Sequence, residues 1–155
     1  MELSKTFRFE ASHILPKHPG KCSRLHGHSW VLTVFVEGPV DFATGFVMDF
    51  AIISKLVKPL VERLDHRHLG TWPFVALAQD PWWVEGLPNV FYPTSENLLL
   101  WLGEQLLVPQ VWGDEPSGKI GHILEWSKLT LNETCTSSTT LTREEFDRNA
   151  NKNKS

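Results

Sequence analysis

The chain has 155 residues, 41% of them hydrophobic and 21% charged, which suits one globular domain with a sizeable core. A net charge of −3 and the lack of any basic run give no electrostatic basis for nucleic-acid binding. Two cysteines, Cys22 and Cys135, cannot build a disulfide framework. With no leader-like start and no membrane-length apolar stretch, the expected setting is a reducing cytoplasm, away from membranes.

In chain order, Thr6 to His13 alternates as a strand, with Phe7, Phe9, Ala11 and His13 on one face. After a short loop, Cys22-Ser-Arg-Leu-His26-Gly-His28 leads into Trp30-Val-Leu-Thr-Val-Phe-Val36, a second strand from about His28 to Glu37 that Gly38-Pro39 ends. His26 and His28 are two apart and point to the same side, and Gly27 keeps bulk from between them. Pairing the strands antiparallel is expected to set His13 opposite His28, on the face that carries His26. Three neutral imidazoles with an open fourth position make a catalytic type of zinc site. A lone histidine is more often a core or surface residue, and His-x-His pairs also occur on solvated strands; the combination raises the odds of a metal. Cys22, four residues before His26, is either a fourth ligand that closes a structural site or a thiolate base beside an open one.

Asp49 is a good helix N-cap, and Phe50, Ile53, Leu56, Val57, Leu60, Val61 and Leu64 follow at helical spacing. Pro59 should kink this helix, which should end between Leu64 and His68 with Gly70 as the stop. Asp65-His66 at its end can act as a carboxylate-oriented acid–base pair, although such neighbours are common by chance. Gly70 to Pro93 has no period and reads as a long loop. Its Trp72, Trp82 and Trp83, with Trp112 and Trp126, hint at subunit contacts or a substrate pocket, against the plainer reading of loops folded onto the core. Thr94-Ser-Glu-Asn97 opens a second helix with a hydroxyl cap, and Leu98, Trp101, Leu102 and Leu106 form its buried stripe, which ends before Pro109. Ile120 to Ser127 is ambiguous. Lys128 to Glu133 reads as a strand, with Thr136 to Leu141 as its hairpin partner. Arg143 to Ser155 is polar and expected to be disordered. The expected fold is thus α+β, in the order ββααββ: an antiparallel four-stranded sheet with two helices on one face, one domain over 1–142 and a disordered tail over 143–155. Glu133, at a strand exit, can accept two hydrogen bonds from the amino-pyrimidinone edge of a pterin or guanine, or it is an ordinary exposed glutamate.

Phe-x-Ala-Ser-His at 9–13, Cys22-x-x-x-His-Gly-His28, Asp49-Phe50, Leu64-Asp-His66, Pro93-Thr-Ser-Glu-Asn97 and Glu133-Thr134 occur here in one order. Together they resemble the 6-pyruvoyl-tetrahydropterin synthase family across most of Phe7 to Leu141. The three-residue spacing between the cysteine and His-Gly-His is similar to the bacterial 6-carboxy-tetrahydropterin synthase branch, which serves queuosine and other 7-deazaguanines. By position, the resemblance implies zinc on His13, His26 and His28, and Cys22 as the proton-transfer base. It implies Asp65 and His66 as a second acid–base pair that a neighbouring subunit can supply, and Glu133 as pterin anchor helped by Thr94 and Ser95. It also implies the tunnelling fold (T-fold) and a homohexamer of two trimers with sites at subunit interfaces. Departures lie in the long 70–92 stretch, in Gly70 where the family often has Asn, and in the extended 109–126 connection.

The implied reaction converts 7,8-dihydroneopterin triphosphate to 6-carboxy-5,6,7,8-tetrahydropterin, acetaldehyde and triphosphate, with Zn²⁺ and no organic cofactor. The alternatives are a pyruvoyl-forming or aldolase-like reaction on the same substrate class, and a non-catalytic zinc or pterin-binding module closed by Cys22.

Overall fold

A computed structural model describes residues 1–70, 92–108 and 124–152, without the side chains of 151 and 152. Strand β1 spans Glu2–His13 and β2 His26–Glu37, followed by α1 Phe50–Leu64 and β3 Arg67–Leu69. Then come α2 Ser95–Leu107, β4 Lys128–Thr134, β5 Ser137–Thr142 and α3 Arg143–Lys152. The sheet order is β3-β1-β2-β4-β5. Every neighbour pairs antiparallel except β3, which lies parallel to β1. The expected antiparallel four-stranded sheet is therefore a five-stranded mixed one, and the order ββααββ becomes ββαβαββα.

Alternation decides which face is covered. Phe7, Phe9, Ala11, Trp30, Leu32, Val34, Leu129 and Leu131 turn inward, onto Ile53, Val57, Leu60 and Leu64 of α1 and Leu98, Leu102 and Leu106 of α2. The other face of the sheet is mostly polar, with Val31 and Phe35 the exceptions on β2, and one rung crosses four strands as Thr6, Thr33, Thr130 and Thr140. Their hydroxyls pair at 3.1 Å (Thr6–Thr33) and 3.2 Å (Thr130–Thr140).

Both helices start where their caps lie. An Asp49 carboxylate oxygen accepts from Ala51 N–H at 2.7 Å, and Thr94 Oγ1 accepts from Asn97 N–H at 3.3 Å. Pro59 does not break α1, which runs through it to Leu64. The helix stops there because Asp65 turns extended, so Gly70 is not its cap. Strands β1 and β2 begin earlier than expected, at Glu2 and His26.

The expected tail is a helix over Arg143–Lys152; residues 153–155 lie outside the described residues. A capping box starts it: Glu145 Oε2 accepts from Thr142 N–H at 3.0 Å, and Glu145 N–H donates to Thr142 Oγ1 at 3.3 Å. Arg143 bridges Glu125 and Asp147 at 2.9 and 3.1 Å. Phe146 packs edge-on to Trp126, with ring centroids 5.4 Å apart. Trp126 itself is core: it donates from Nε1 to Gly103 O at 3.2 Å, and a Cβ at Gly103 would meet its ring at 2.9 Å. The expectations for Trp72, Trp82, Trp83 and Trp112, and most of the 70–93 loop, lie outside the described residues. Among the described residues, no helix is long and apolar enough to cross a membrane, and Cys22 and Cys135 are free thiols.

Candidate active site and metal centre

The end of β1 and the start of β2 bring three imidazoles together. His13 pairs with His26, and Ala11 with His28. His13 thus lies opposite His26 rather than His28, because β2 begins two residues earlier than the apolar run suggests. Alternation still puts all three rings on the helix-covered face, and their ligand nitrogens lie within 4.8 Å of one another. Trp30, next but one after His28, meets the His13 and His28 rings edge-on at 5.3 and 5.4 Å. Its Nε1–H donates to Ala11 O at 3.2 Å, which holds this supporting wall in place. Trp30 was missed as a site residue, although its place in the His26, His28, Trp30 alternation marks it.

The hydrogen bonds decide the tautomers. His13 Nδ1 lies 2.8 Å from Pro93 O, and His26 Nδ1 lies 2.7 Å from Arg24 O. A carbonyl only accepts, so each Nδ1 carries the proton and each Nε2 presents a lone pair. Those two Nε2 atoms are 3.0 Å apart. A shared proton is a poor solution, because burial lowers the pKa of His13 from 6.5 to about 4. The Pro93 carbonyl opposes that shift, while the His26, His28 and His68 rings add to it. Burial likewise lowers the pKa of His28, against the Glu133 carboxylate. His28 Nε2 is buried and has no hydrogen-bond partner. Its 3.5 Å separation from Glu133 Oε1 is too long for a well-formed N–H···O bond. Converging lone pairs, depressed basicity and an orphaned nitrogen fit a divalent cation bound by nitrogen ligands, of which zinc is the commonest.

Glu133 stands beside this centre. Its Oε1 is 3.3 Å from His13 Nε2. Thr94 and Ser95 follow Pro93 into α2, but their hydroxyls have local partners: Thr94 caps the helix, and Ser95 Oγ lies 2.8 Å from Thr139 Oγ1. Pro93 opens the Pro93-to-Asn97 motif without a role assigned to it there, and in the structure its backbone carbonyl orients the His13 ring.

Cys22 sits half-buried in a single 3-10 turn, Lys21–Ser23, and is not in the group of side chains able to hold the ion. This geometry favours the open site over the closed one. Asp65 and His66 lie outside the cluster too. Asp65 Oδ2 is 3.0 Å from His66 Nδ1, and Asp65 Oδ1 accepts from Glu10 N–H at 2.8 Å. That backbone donor is the main reason the Asp65 pKa is lowered. His66 adopts φ +56°, an uncommon conformation for a residue with a side chain, and its side chain is 78% exposed. The pair is well oriented, yet it faces solvent rather than its own chain's histidines.

Residues 2–144 match the family described as 6-pyruvoyl tetrahydropterin synthase. The chain belongs to that family. A 6-carboxy-5,6,7,8-tetrahydropterin synthase of Synechocystis sp. is 36% identical over 140 residues, covering 86% of this chain and 87% of the relative. A protein of the same description from Aquifex aeolicus is 31% identical, covering 88% and 94%. Among solved structures, the 6-pyruvoyl tetrahydropterin synthase of Caenorhabditis elegans superposes with a TM-score of 0.68 at 27% identity, covering 92% of this chain and 94% of that one. The chain is accordingly a pterin-processing lyase of this family with an α+β fold.

Proposed function

We propose that the protein is a zinc-dependent 6-carboxy-5,6,7,8-tetrahydropterin synthase, acting on 7,8-dihydroneopterin triphosphate in 7-deazaguanine and queuosine biosynthesis. The observation that carries the metal part is the set of converging imidazoles on His13, His26 and His28, with protons held on the far nitrogens of His13 and His26. Bound there, zinc supplies Lewis-acid acidification of the substrate's side-chain hydroxyls. Cys22 takes the proton from the carbon next to the ring. Glu133 anchors the pterin ring by accepting hydrogen bonds from its amino-pyrimidinone edge, helped by Thr94 and Ser95 at the start of α2. Asp65 holds His66 in one orientation for proton transfer at the outer hydroxyls. Because that pair faces solvent, it serves a neighbouring subunit's site in a homohexamer of two trimers. Triphosphate leaves, one water is taken up, the bond between the first two side-chain carbons is cleaved, and 6-carboxy-5,6,7,8-tetrahydropterin and acetaldehyde remain. The unpaired thiols suit the cytoplasm.

The identity to carboxy-forming relatives over most of the chain favours this product over the pyruvoyl one. Incubating zinc-loaded protein with 7,8-dihydroneopterin triphosphate, and assaying pterin and acetaldehyde together, tests the choice. A pyruvoyl pterin without acetaldehyde overturns the carboxy assignment.

A further inference from the structure

The loop between β1 and β2 holds a concentration of positive charge that the reaction steps above leave unused. Between His13 and His28 the sequence has Lys17, Lys21 and Arg24, together with His18, and no carboxylate. All three cationic side chains are exposed, and none has an ion-pair partner among the described residues. Elsewhere Lys128 pairs with Glu2, Arg143 with Glu125 and Asp147, and Arg148 with Glu144. The loop is also folded onto itself. Leu15 N–H donates to Cys22 O and His18 N–H to Leu15 O, both at 2.9 Å. Ser23 Oγ donates to Gly20 O at 2.8 Å, and Lys17 N–H reaches the Tyr92 hydroxyl at 3.2 Å, which ties the loop to the start of α2.

The placement is specific. Cys22 lies between Lys21 and Arg24, and the Arg24 carbonyl orients the His26 ring at 2.7 Å. These cations thus lie on the loop that joins the two histidine-bearing strand ends, Arg24 two residues before His26. A guanidinium fork and two ammonium groups without competing carboxylates suit a chain of phosphates. We propose that Lys17, Lys21 and Arg24 form the recognition site for the substrate's triphosphate chain and set the preference for phosphorylated over unphosphorylated dihydroneopterin. This rests on the reading above for the identity of the substrate.

The test measures binding of inorganic tripolyphosphate to the zinc-loaded full chain by calorimetry, for the parent and for a variant with Lys17→Ala, Lys21→Ala and Arg24→Ala together. Lys58→Ala, on an exposed position of α1, is the control. The combined variant should bind at least tenfold more weakly and the control as the parent does, with zinc content equal in all three. In turnover, the KM for 7,8-dihydroneopterin triphosphate should rise at least tenfold in the combined variant. Each single substitution removes only an exposed side chain and leaves the Arg24 carbonyl in place, so single variants carry the test if the combined one loses zinc. Tripolyphosphate binding that is absent from the parent, or unchanged in the variants, overturns the proposal. If the parent binds tripolyphosphate through this loop but makes no pterin product, the anion site stands and the lyase reading falls. If the parent makes product and the variants match it in both assays, the reverse holds.

Discussion

His13 joins three constraints in one side chain: full burial, a backbone acceptor at Pro93 and two neighbouring imidazoles. An unfolded chain protonates this ring as the pH falls through 6.5, whereas the folded metal-free protein resists until about 4. The unfolded state thus binds the extra proton in that window, so metal-free stability should decline from pH 6.5 down to about 4. The loss is on the order of 3 kcal/mol. Urea midpoints at pH 7 and pH 5 check this against His13→Gln; equal losses in parent and variant would remove His13 as the cause. Cys22 permits a cleaner separation of roles. Cys22→Ala should keep a full zinc equivalent while turnover falls on the order of 10²–10⁴-fold, the usual worth of a general base. Zinc loss in this variant would make the thiol a ligand instead.

Among the elements, those with one strong period were legible and those held by a few long-range contacts were not. Helix α1 could be read from Ile53, Leu56, Val57, Leu60 and Leu64, and α2 from Thr94 and the leucine stripe, because burial and capping act locally there. The shared face of the three histidines followed from alternation alone. Their register did not, because it depends on where β2 begins, and Gly27 between two histidines carries no apolar signal. Strand β3 has three residues and exists through its pairing with Ala11, Ser12 and His13, which no local pattern encodes. Helix α3 has a single large apolar residue, so its sequence looks like a tail; the signal passed over was the Thr142-x-x-Glu145 capping box. Phe146→Ala should therefore cost about 2 kcal/mol, roughly half a fully buried phenylalanine, since this ring is only partly buried. A disordered tail predicts no change, and thermal or urea unfolding decides between them.

On the scale of the whole molecule, the groups proposed for catalysis divide between two places: the partly buried histidine cluster at the paired ends of β1 and β2, and the exposed Asp65–His66 pair. If a neighbouring subunit completes each site, inactive Cys22→Ala and His66→Ala proteins should rescue one another after mixing and reassembly. Random association restores about a quarter of the sites, those where an intact thiol meets an intact histidine. No recovery, with mixed oligomers verified by mass, would confine each site to one chain. The facing pair His13 and His26 has a consequence for assembly of the sheet itself. Sliding β1 by two residues along β2 leaves the same apolar side chains inward, so greasy packing distinguishes poorly between the two alignments. A slip that carries His13 two residues past His26, opposite Arg24, takes it away from His28 and scatters the ligands. An ion captured at this end therefore works as a gauge of alignment, and refolding with zinc present should suppress misaligned, slowly correcting species that accumulate when a chelator is present.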